Sequence, residues 1–272
     1  MGKLGRKLRF LLKDQLNAIF RPGDLRPPYA GSFAGDGSFE ETGAEFLRYF
    51  IELGELEPEA RVLDVGCGIG RMAIPLTKYL GEGGSYEGFD IVPDGVKWCQ
   101  RRITPWYPNF HFHLMDIYNK SYNPKGRRKS SEYRFPYPND SFDFVYLTSV
   151  FTHMLPEDLG NYLSEISRVL KPGRRCLITY FLVDTASPEP VDPAKCTQDF
   201  RYQMDGYRTV DKEKPESATA YAEVWIRDLY RKNRLEIMDP IRYGSWCGRR
   251  NFLSYQDIVI GSKTVRWQGG VS

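Results

Sequence analysis

The segment Arg61-Val62-Leu63-Asp64-Val65-Gly66-Cys67-Gly68-Ile69-Gly70-Arg71 constrains this chain more than any other. Val62, Leu63 and Val65 are β-formers and predict a strand covered on both faces. The glycines that follow let the backbone turn sharply and approach a ligand closely, because no Cβ is in the way. A helix is expected next, with Ile74, Leu76 and Leu80 among its apolar residues. A strand, a glycine loop and a helix in that order form the unit at which open α/β sheets bind nucleotides, at the carboxyl end of the first strand. The spacing narrows the ligand. A dinucleotide fingerprint needs a third glycine where Arg71 stands, and no Gly-Lys-Ser/Thr follows to make a phosphate loop.

The string Leu63 to Gly70 closely resembles the first motif of class I S-adenosylmethionine-dependent methyltransferases. The resemblance implies that Gly66, Cys67, Gly68, Gly70 and Arg71 wrap the amino-acid part of S-adenosyl-L-methionine, and that Asp64 helps to hold it. Tyr86 to Ile91 reads as a second strand ending in Asp90, about twenty positions past the loop. An acidic residue so placed can accept both ribose hydroxyls. The resemblance assigns Asp90 to the ribose and packs Ile91 on the adenine. Asn109 to Met115 reads as a third strand, after which come Asp116 and Ile117. There the family uses an acidic residue for the adenine amino group.

Phe142 to Thr148 reads as the fourth strand. The continuation Ser149-Val150-Phe151-Thr152-His153-Met154-Leu155-Pro156 resembles a motif of a large bacterial subset of the same family. It implies that Thr148 and Ser149 line the cofactor site and Phe151 the acceptor site. His153 has two readings, a base that takes a proton near neutral pH or a structural residue fixing its loop. Val169-Leu170-Lys171-Pro172-Gly173 is a further likeness, ending a helix from Asp158 to Leu170. Arg175 to Val183 is read as the fifth strand, Ala220 to Lys232 as a helix, Leu235 to Tyr243 as the sixth strand and Gln256 to Lys263 as the seventh. In the family, insertions after the fifth strand shape the acceptor pocket. Residues 184–220 break the alternation here and are read as a substrate cap, with Tyr207 and Arg208 as acceptor-binding candidates beside Tyr202 and Met204.

The resulting fold is α/β: a doubly wound, seven-stranded, mostly parallel sheet with an antiparallel edge strand, over residues 39–272. Residues 1–38 precede it as an amphipathic helix and a Pro/Gly-rich loop, with Phe33, Asp36 and Phe39 as pocket candidates. Leu4, Leu8, Leu11, Leu12, Leu16, Ile19 and Phe20 share one helical face. That face either packs on protein or lies on an anionic membrane surface. The first reading keeps the chain in the cytoplasm. The second adds peripheral contact at the inner membrane face through residues 1–20.

Lys and Arg number 38 against 35 acidic residues, so no net field calls for nucleic acid. Cysteines 67, 99, 176, 196 and 247 show no C-x-x-C pair, which points to free thiols in a reducing compartment and to no metal site. His111 and His113 are read as the polar face of the third strand rather than as metal ligands. The segment 119–139 is long for a connection and mixes Lys125, Arg127, Arg128, Lys129 and Arg134 with tyrosines, as an anion- or sugar-binding loop or a solvated one does. The function expected is methyl transfer from S-adenosyl-L-methionine to a small-molecule or glycan acceptor. Two alternatives stand: a methyltransferase-like binding protein without turnover, and an NAD-dependent dehydrogenase, which Arg71 opposes.

Overall fold

The computed structural model describes residue 25 and residues 39–186 and 192–265. The expected helix over residues 1–20 and the pocket candidates Phe33 and Asp36 lie outside the described residues. Helix α1 (Phe39–Glu52) leads into β1 (Arg61–Val65), followed by the short α2 (Ala73–Leu76), β2 (Ser85–Asp90), α3 (Pro93–Arg102) and β3 (Phe110–Leu114). Next come β4 (Phe142–Leu147), α4 (Pro156–Val169) and β5 (Leu170–Tyr180). Four short strands, β6 (Leu182–Val183), β7 (Tyr202–Gln203), β8 (Arg208–Thr209) and β9 (Thr219–Ala222), precede α5 (Glu223–Lys232), β10 (Leu235–Ile237) and β11 (Asp257–Lys263).

The main sheet has seven strands in the order β10-β11-β5-β4-β1-β2-β3. Strands β1 to β5 run parallel, and β11 lies antiparallel between β5 and the edge strand β10. The chain winds from β1 outward through β2 and β3, then returns to add β4 and β5 on the other side. The β1/β4 boundary is therefore the topological switch point, where a crevice opens beyond the carboxyl ends of the strands. Strand alternation fills both faces. Leu63, Val65, Val145 and Leu147 pack with Leu159, Leu163 and Ile166 of α4 on one side. Val62, Tyr86, Phe144 and Tyr146 pack with Phe46 and Phe50 of α1 and Val96 and Trp98 of α3 on the other.

Several element boundaries differ from expectation. The fifth strand does not run unbroken to Val183: β5 stays in the main sheet to Tyr180, and Leu182–Val183 pairs with β9 in a second, four-stranded sheet. Thr219–Ala222 is a strand of that sheet, so the helix expected from Ala220 begins at Glu223. β10 stops at Ile237, shortly before Pro240, which has no N–H to give a ladder. Leu114 shares the strand face of the buried Phe110 and Phe112, but at the end of β3 it is 46% exposed. His111 and His113 approach Glu87 of β2 at 3.4 and 2.7 Å. The described residues contain no group of three side chains able to hold a metal. They also contain no helix long and apolar enough to cross a membrane.

The long segment 119–139 is mostly exposed but is pinned to the core in its second half. Tyr133 and Phe135 are buried in the core. Arg168 of α4 donates to the carbonyls of Tyr137 and Phe135 at 2.8 and 3.0 Å, and Glu165 accepts the Phe135 N–H at 2.7 Å. Arg127 and Lys129 are taken by Asp116 and Glu132.

Candidate functional site

The glycine loop joins β1 to α2 over the switch point. Gly66 has φ +92°, and a Cβ there would fall 2.3 Å from Val150 Cγ2. Gly68 has φ +53°, with no atom within 4 Å of where its Cβ would stand. Left-handed backbone of this kind is open to glycine at little cost. The first glycine is thus demanded by the β4 loop packed against it, while the second borders open space. That space belongs to a cavity of about 820 Å³, within the roughly 300–1,000 Å³ of small-ligand sites.

Asp90 ends β2 and lines this cavity. Its Oδ2 accepts the Gly68 N–H at 2.7 Å and its Oδ1 accepts the Val92 N–H at 2.8 Å. Each oxygen keeps a lone pair, so the carboxylate is fixed in place and can still accept two hydroxyls. Burial pushes the Asp90 carboxyl up, against the pull of the backbone N–H groups. Ile91 and Ile117 add apolar surface beside it. This combination of an open loop, a clamped acceptor pair and apolar walls fits a nucleoside with vicinal hydroxyls.

Thr148 and Ser149 leave β4 into the same cavity. Ser149 has φ +58°, an unusual conformation for a residue with a side chain. It is held by Thr179 Oγ1, which accepts its N–H at 2.8 Å, and by Gln256 Oε1, which accepts its hydroxyl at 3.0 Å. Such strain persists only where neighbours over-determine it, and it is common at functional sites.

His153 lines the cavity from the turn after β4. Its Nδ1 lies 3.0 Å from the Glu216 carbonyl oxygen, which can only accept. Nδ1 therefore carries the proton, and in the neutral ring Nε2 is an acceptor. Burial pushes this imidazole below its ordinary range, opposed by its bonds to backbone at Glu216 and Ser217. Tyr122 meets the ring edge-on at 5.6 Å.

The remaining expected residues fall elsewhere. Asp64 is buried beneath the loop, between the paired residues Gly88 and Tyr146 of the flanking strands. Tyr86 and Tyr146 both donate to its Oδ2, at 2.7 and 2.8 Å, while Oδ1 has no partner among the described residues. Burial pushes this carboxyl up to about 7, the tyrosine bonds opposing and Asp90 adding to the shift. Cys67 and Phe151 are buried in the two core layers, and Gly70 backs onto Cys99 and Ile103. Asp116 is turned to Arg127, whose hydrogen bond holds its carboxyl below the usual range. Tyr207 packs on Tyr221, and Arg208 pairs with Asp184 at 3.4 Å. The cavity thus gathers Gly66, Gly68, Arg71, Asp90, Ile91, Ile117, Thr148, Ser149 and His153, and its lining does not include Asp64, Cys67, Gly70, Asp116, Phe151, Tyr207 or Arg208.

Other lining residues had no local signal. Thr42, Glu45 and Phe46 come from α1, Thr197 and Gln198 from the segment before β7, and Ser254, Tyr255 and Gln256 from the approach to β11. Thr197, Gln198, Ser254, Tyr255 and Gln256 are far in sequence from the glycine loop, so nothing in their own stretches marks them, and Thr42, Glu45 and Phe46, which lie nearer, read only as part of a helix.

A family model described as a methyltransferase domain matches residues 39–221. Among curated proteins, phthiotriol/phenolphthiotriol dimycocerosates methyltransferase of Mycobacterium leprae is 34% identical over 113 residues, which is 42% of this chain and 34% of that protein. Phosphoethanolamine N-methyltransferase 3 of Arabidopsis thaliana is 25% identical over 158 residues, 57% of this chain and 28% of that protein. The chain thus matches about a third or less of the length of either relative. Among solved structures, 1,6-didemethyltoxoflavin-N1-methyltransferase of Burkholderia thailandensis shares the fold at a TM-score of 0.53 and 18% identity. That match covers 97% of this chain and 92% of that one, which was crystallised with 1,6-didemethyltoxoflavin and S-adenosylhomocysteine.

Proposed function

This chain belongs to the methyltransferase domain family, and from that membership we propose that it methylates a small-molecule or glycan acceptor with S-adenosyl-L-methionine. The observation that carries the proposal is Asp90. Its carboxylate is clamped by two backbone N–H groups at the end of β2 and faces the cavity that the glycine loop opens into. Asp90 would accept the ribose hydroxyls, the loop at Gly66 and Gly68 would pass close to the amino-acid part, and Ile91 and Ile117 would bracket the adenine. Asp116 and Asp64 stay in the proposal at one remove. Asp116 would have to leave Arg127 to reach the base, and Asp64 would act from beneath the loop.

The bound cofactor supplies a methyl group already activated by its sulfonium, so the protein's task is alignment and exclusion of water. His153 supplies the remaining need of a hydroxyl acceptor. In the neutral ring its Nε2 is an acceptor and would take the hydroxyl proton as the new bond forms. Away from Asp90 the lining is rich in neutral hydroxyl and amide groups, namely Thr148, Ser149, Thr197, Gln198, Tyr255 and Gln256. Glu45 and Arg71 line it as well, so these groups suit a hydroxylated molecule without fixing its charge.

Calorimetry with S-adenosylhomocysteine tests the cofactor half. We expect binding in the unaltered chain, weakened by roughly 10²-fold in Asp90→Ala through loss of two charge-assisted bonds. Equal binding by both proteins would sink the assignment. Incubation with methyl-labelled cofactor and a metabolite extract tests the acceptor half. Label entering a low-mass product supports the proposal, whereas cofactor binding without any transfer would point to a binding role.

A further inference from the structure

Cys196 and Cys247 lie far apart in sequence, yet the structure makes them cross-strand partners. They form an isolated antiparallel bridge between the segment before β7 and the loop before β11. Beside them the Thr197 N–H donates to the Trp246 carbonyl at 2.9 Å. That bond marks Cys196 and Cys247 as a non-hydrogen-bonded pair, the class of cross-strand pair in which Cα atoms are typically about 4.5 Å apart and side chains share a face. A disulfide needs a Cα separation of about 4.4–6.8 Å.

The two segments are also pressed together. A Cβ on Gly248, whose φ is +79°, would fall 2.3 Å from the Asp192 carbonyl oxygen and 3.0 Å from Lys195 Cβ. Phe200 packs edge-on against Trp246, with ring centroids 5.3 Å apart. One thiol is accessible and the other sheltered: Cys196 is exposed and Cys247 is buried, as are Cys67, Cys99 and Cys176.

We propose that Cys196 and Cys247 form a reversible disulfide that clasps one wall of the cavity. The reaction is exchange with a low-molecular-weight disulfide. The exposed Cys196, as thiolate, attacks the reagent and releases one small thiol. Cys247 then loses its proton and attacks Cys196 Sγ, expelling the second. The two cysteines give up two electrons and two protons, and the reagent is reduced to two thiols. The wall is that of Thr197 and Gln198. The Thr197 hydroxyl lies 2.8 Å from the Tyr255 hydroxyl, and Gln198 Nε2 donates to the same oxygen at 3.1 Å, all three residues lining the cavity. In the reduced protein, hydrogen bonds and aromatic packing alone hold this wall; in the oxidised protein a covalent bond holds it next to Thr197. Any consequence for turnover rests on the methyltransferase reading, but the cross-link does not.

The test exposes the full chain to oxidised glutathione and then to dithiothreitol, with non-reducing peptide mapping and a melting curve at each stage. Expected is one linkage joining Cys196 to Cys247, a Tm rise of roughly 5–15 °C from closing the long loop between them, and reversal on reduction. Cys196→Ser and Cys247→Ser should each abolish the linkage and the shift. The proposal is overturned if all five thiols stay alkylatable after oxidation, if glutathione remains on Cys196 without a linkage, or if another pair forms. Cofactor binding is scored on reduced protein, so failure there leaves this result standing, and the reverse holds equally.

Discussion

Replacing Asp64 by Asn should change the pH dependence of stability more than stability itself. The Asp64 carboxyl is buried in the central strand, with its pKa pushed from an ordinary 3.8 up to about 7 by desolvation. In the unfolded chain it ionises near 3.8. Between these values the folded state holds a proton that the unfolded state has lost, so each unit of rising pH lowers unfolding free energy by about 1.4 kcal/mol. The contribution is complete below about pH 4 and is lost as pH rises through 7. Over the window it amounts to about 4 kcal/mol. Because the side chain is 1% exposed, no discount for solvent screening applies. Asn keeps the shape and an oxygen for the Tyr86 and Tyr146 hydroxyls but cannot titrate. The difference in stability between Asp64→Asn and the parent should therefore move in favour of the variant by about 4 kcal/mol from pH 4 to pH 7.5. Urea unfolding of both proteins across that range, followed by tryptophan fluorescence, measures it. Titrating groups that do not interact with Asp64 cancel in the difference, whereas Asp90, which adds to the Asp64 shift, leaves a smaller part of its own. A difference that stays constant to within about 0.5 kcal/mol would refute the buried, proton-holding state of Asp64.

Three further outcomes follow from the same geometry. His153→Gln should lower turnover on a hydroxyl acceptor by roughly 10²-fold with little change in cofactor affinity; the parent's rate should fall only on the acid side of the ordinary imidazole range, since burial lowers the pKa of His153, and an unaltered rate in the variant would assign the ring a structural role. Arg168→Ala strips the Phe135 and Tyr137 carbonyls of their donor and leaves the buried Glu165 without its cation, with only the Phe135 N–H bound to it, so urea unfolding should show a loss of about 2–4 kcal/mol, and a loss below about 0.5 kcal/mol would argue against this anchoring of residues 119–139. Gly66→Ala puts a methyl group 2.3 Å from Val150 Cγ2 at φ +92°, and should cost about 1–3 kcal/mol of stability together with cofactor binding; calorimetry indistinguishable from the parent would show that the loop tolerates a side chain.

Much of the architecture is a local matter. The run from Val62 to Val65 has to be a doubly covered strand, and Gly66 must turn where Val150 leaves no room for a Cβ. The position of Asp90 is legible for the same reason. One strand and its register with β1 bring it beside Gly68, and both steps are written within thirty residues. The expected pairing of segment 184–220 with the acceptor side is harder. The strands in and flanking it are two to four residues long, too short to show alternation. Tyr207 packs on Tyr221 of β9, and Arg208 of β8 pairs with Asp184 just after β6, contacts that no local pattern announces.

By itself, then, the sequence determined the wound sheet, the glycine loop and the acidic residue facing it. Those depend on hydrophobic periodicity and on backbone sterics, which act over a few residues. Only the tertiary structure decided that Asp64 is sealed between two tyrosines, that Asp116 is engaged by Arg127, and that Thr197, Tyr255 and Gln256 close the cavity. It also decided that two distant cysteines face each other. The physical reason is one of range. Burial, and hence each of these pKa shifts and contacts, is a property of what the rest of the chain places around a residue, and no local pattern records it.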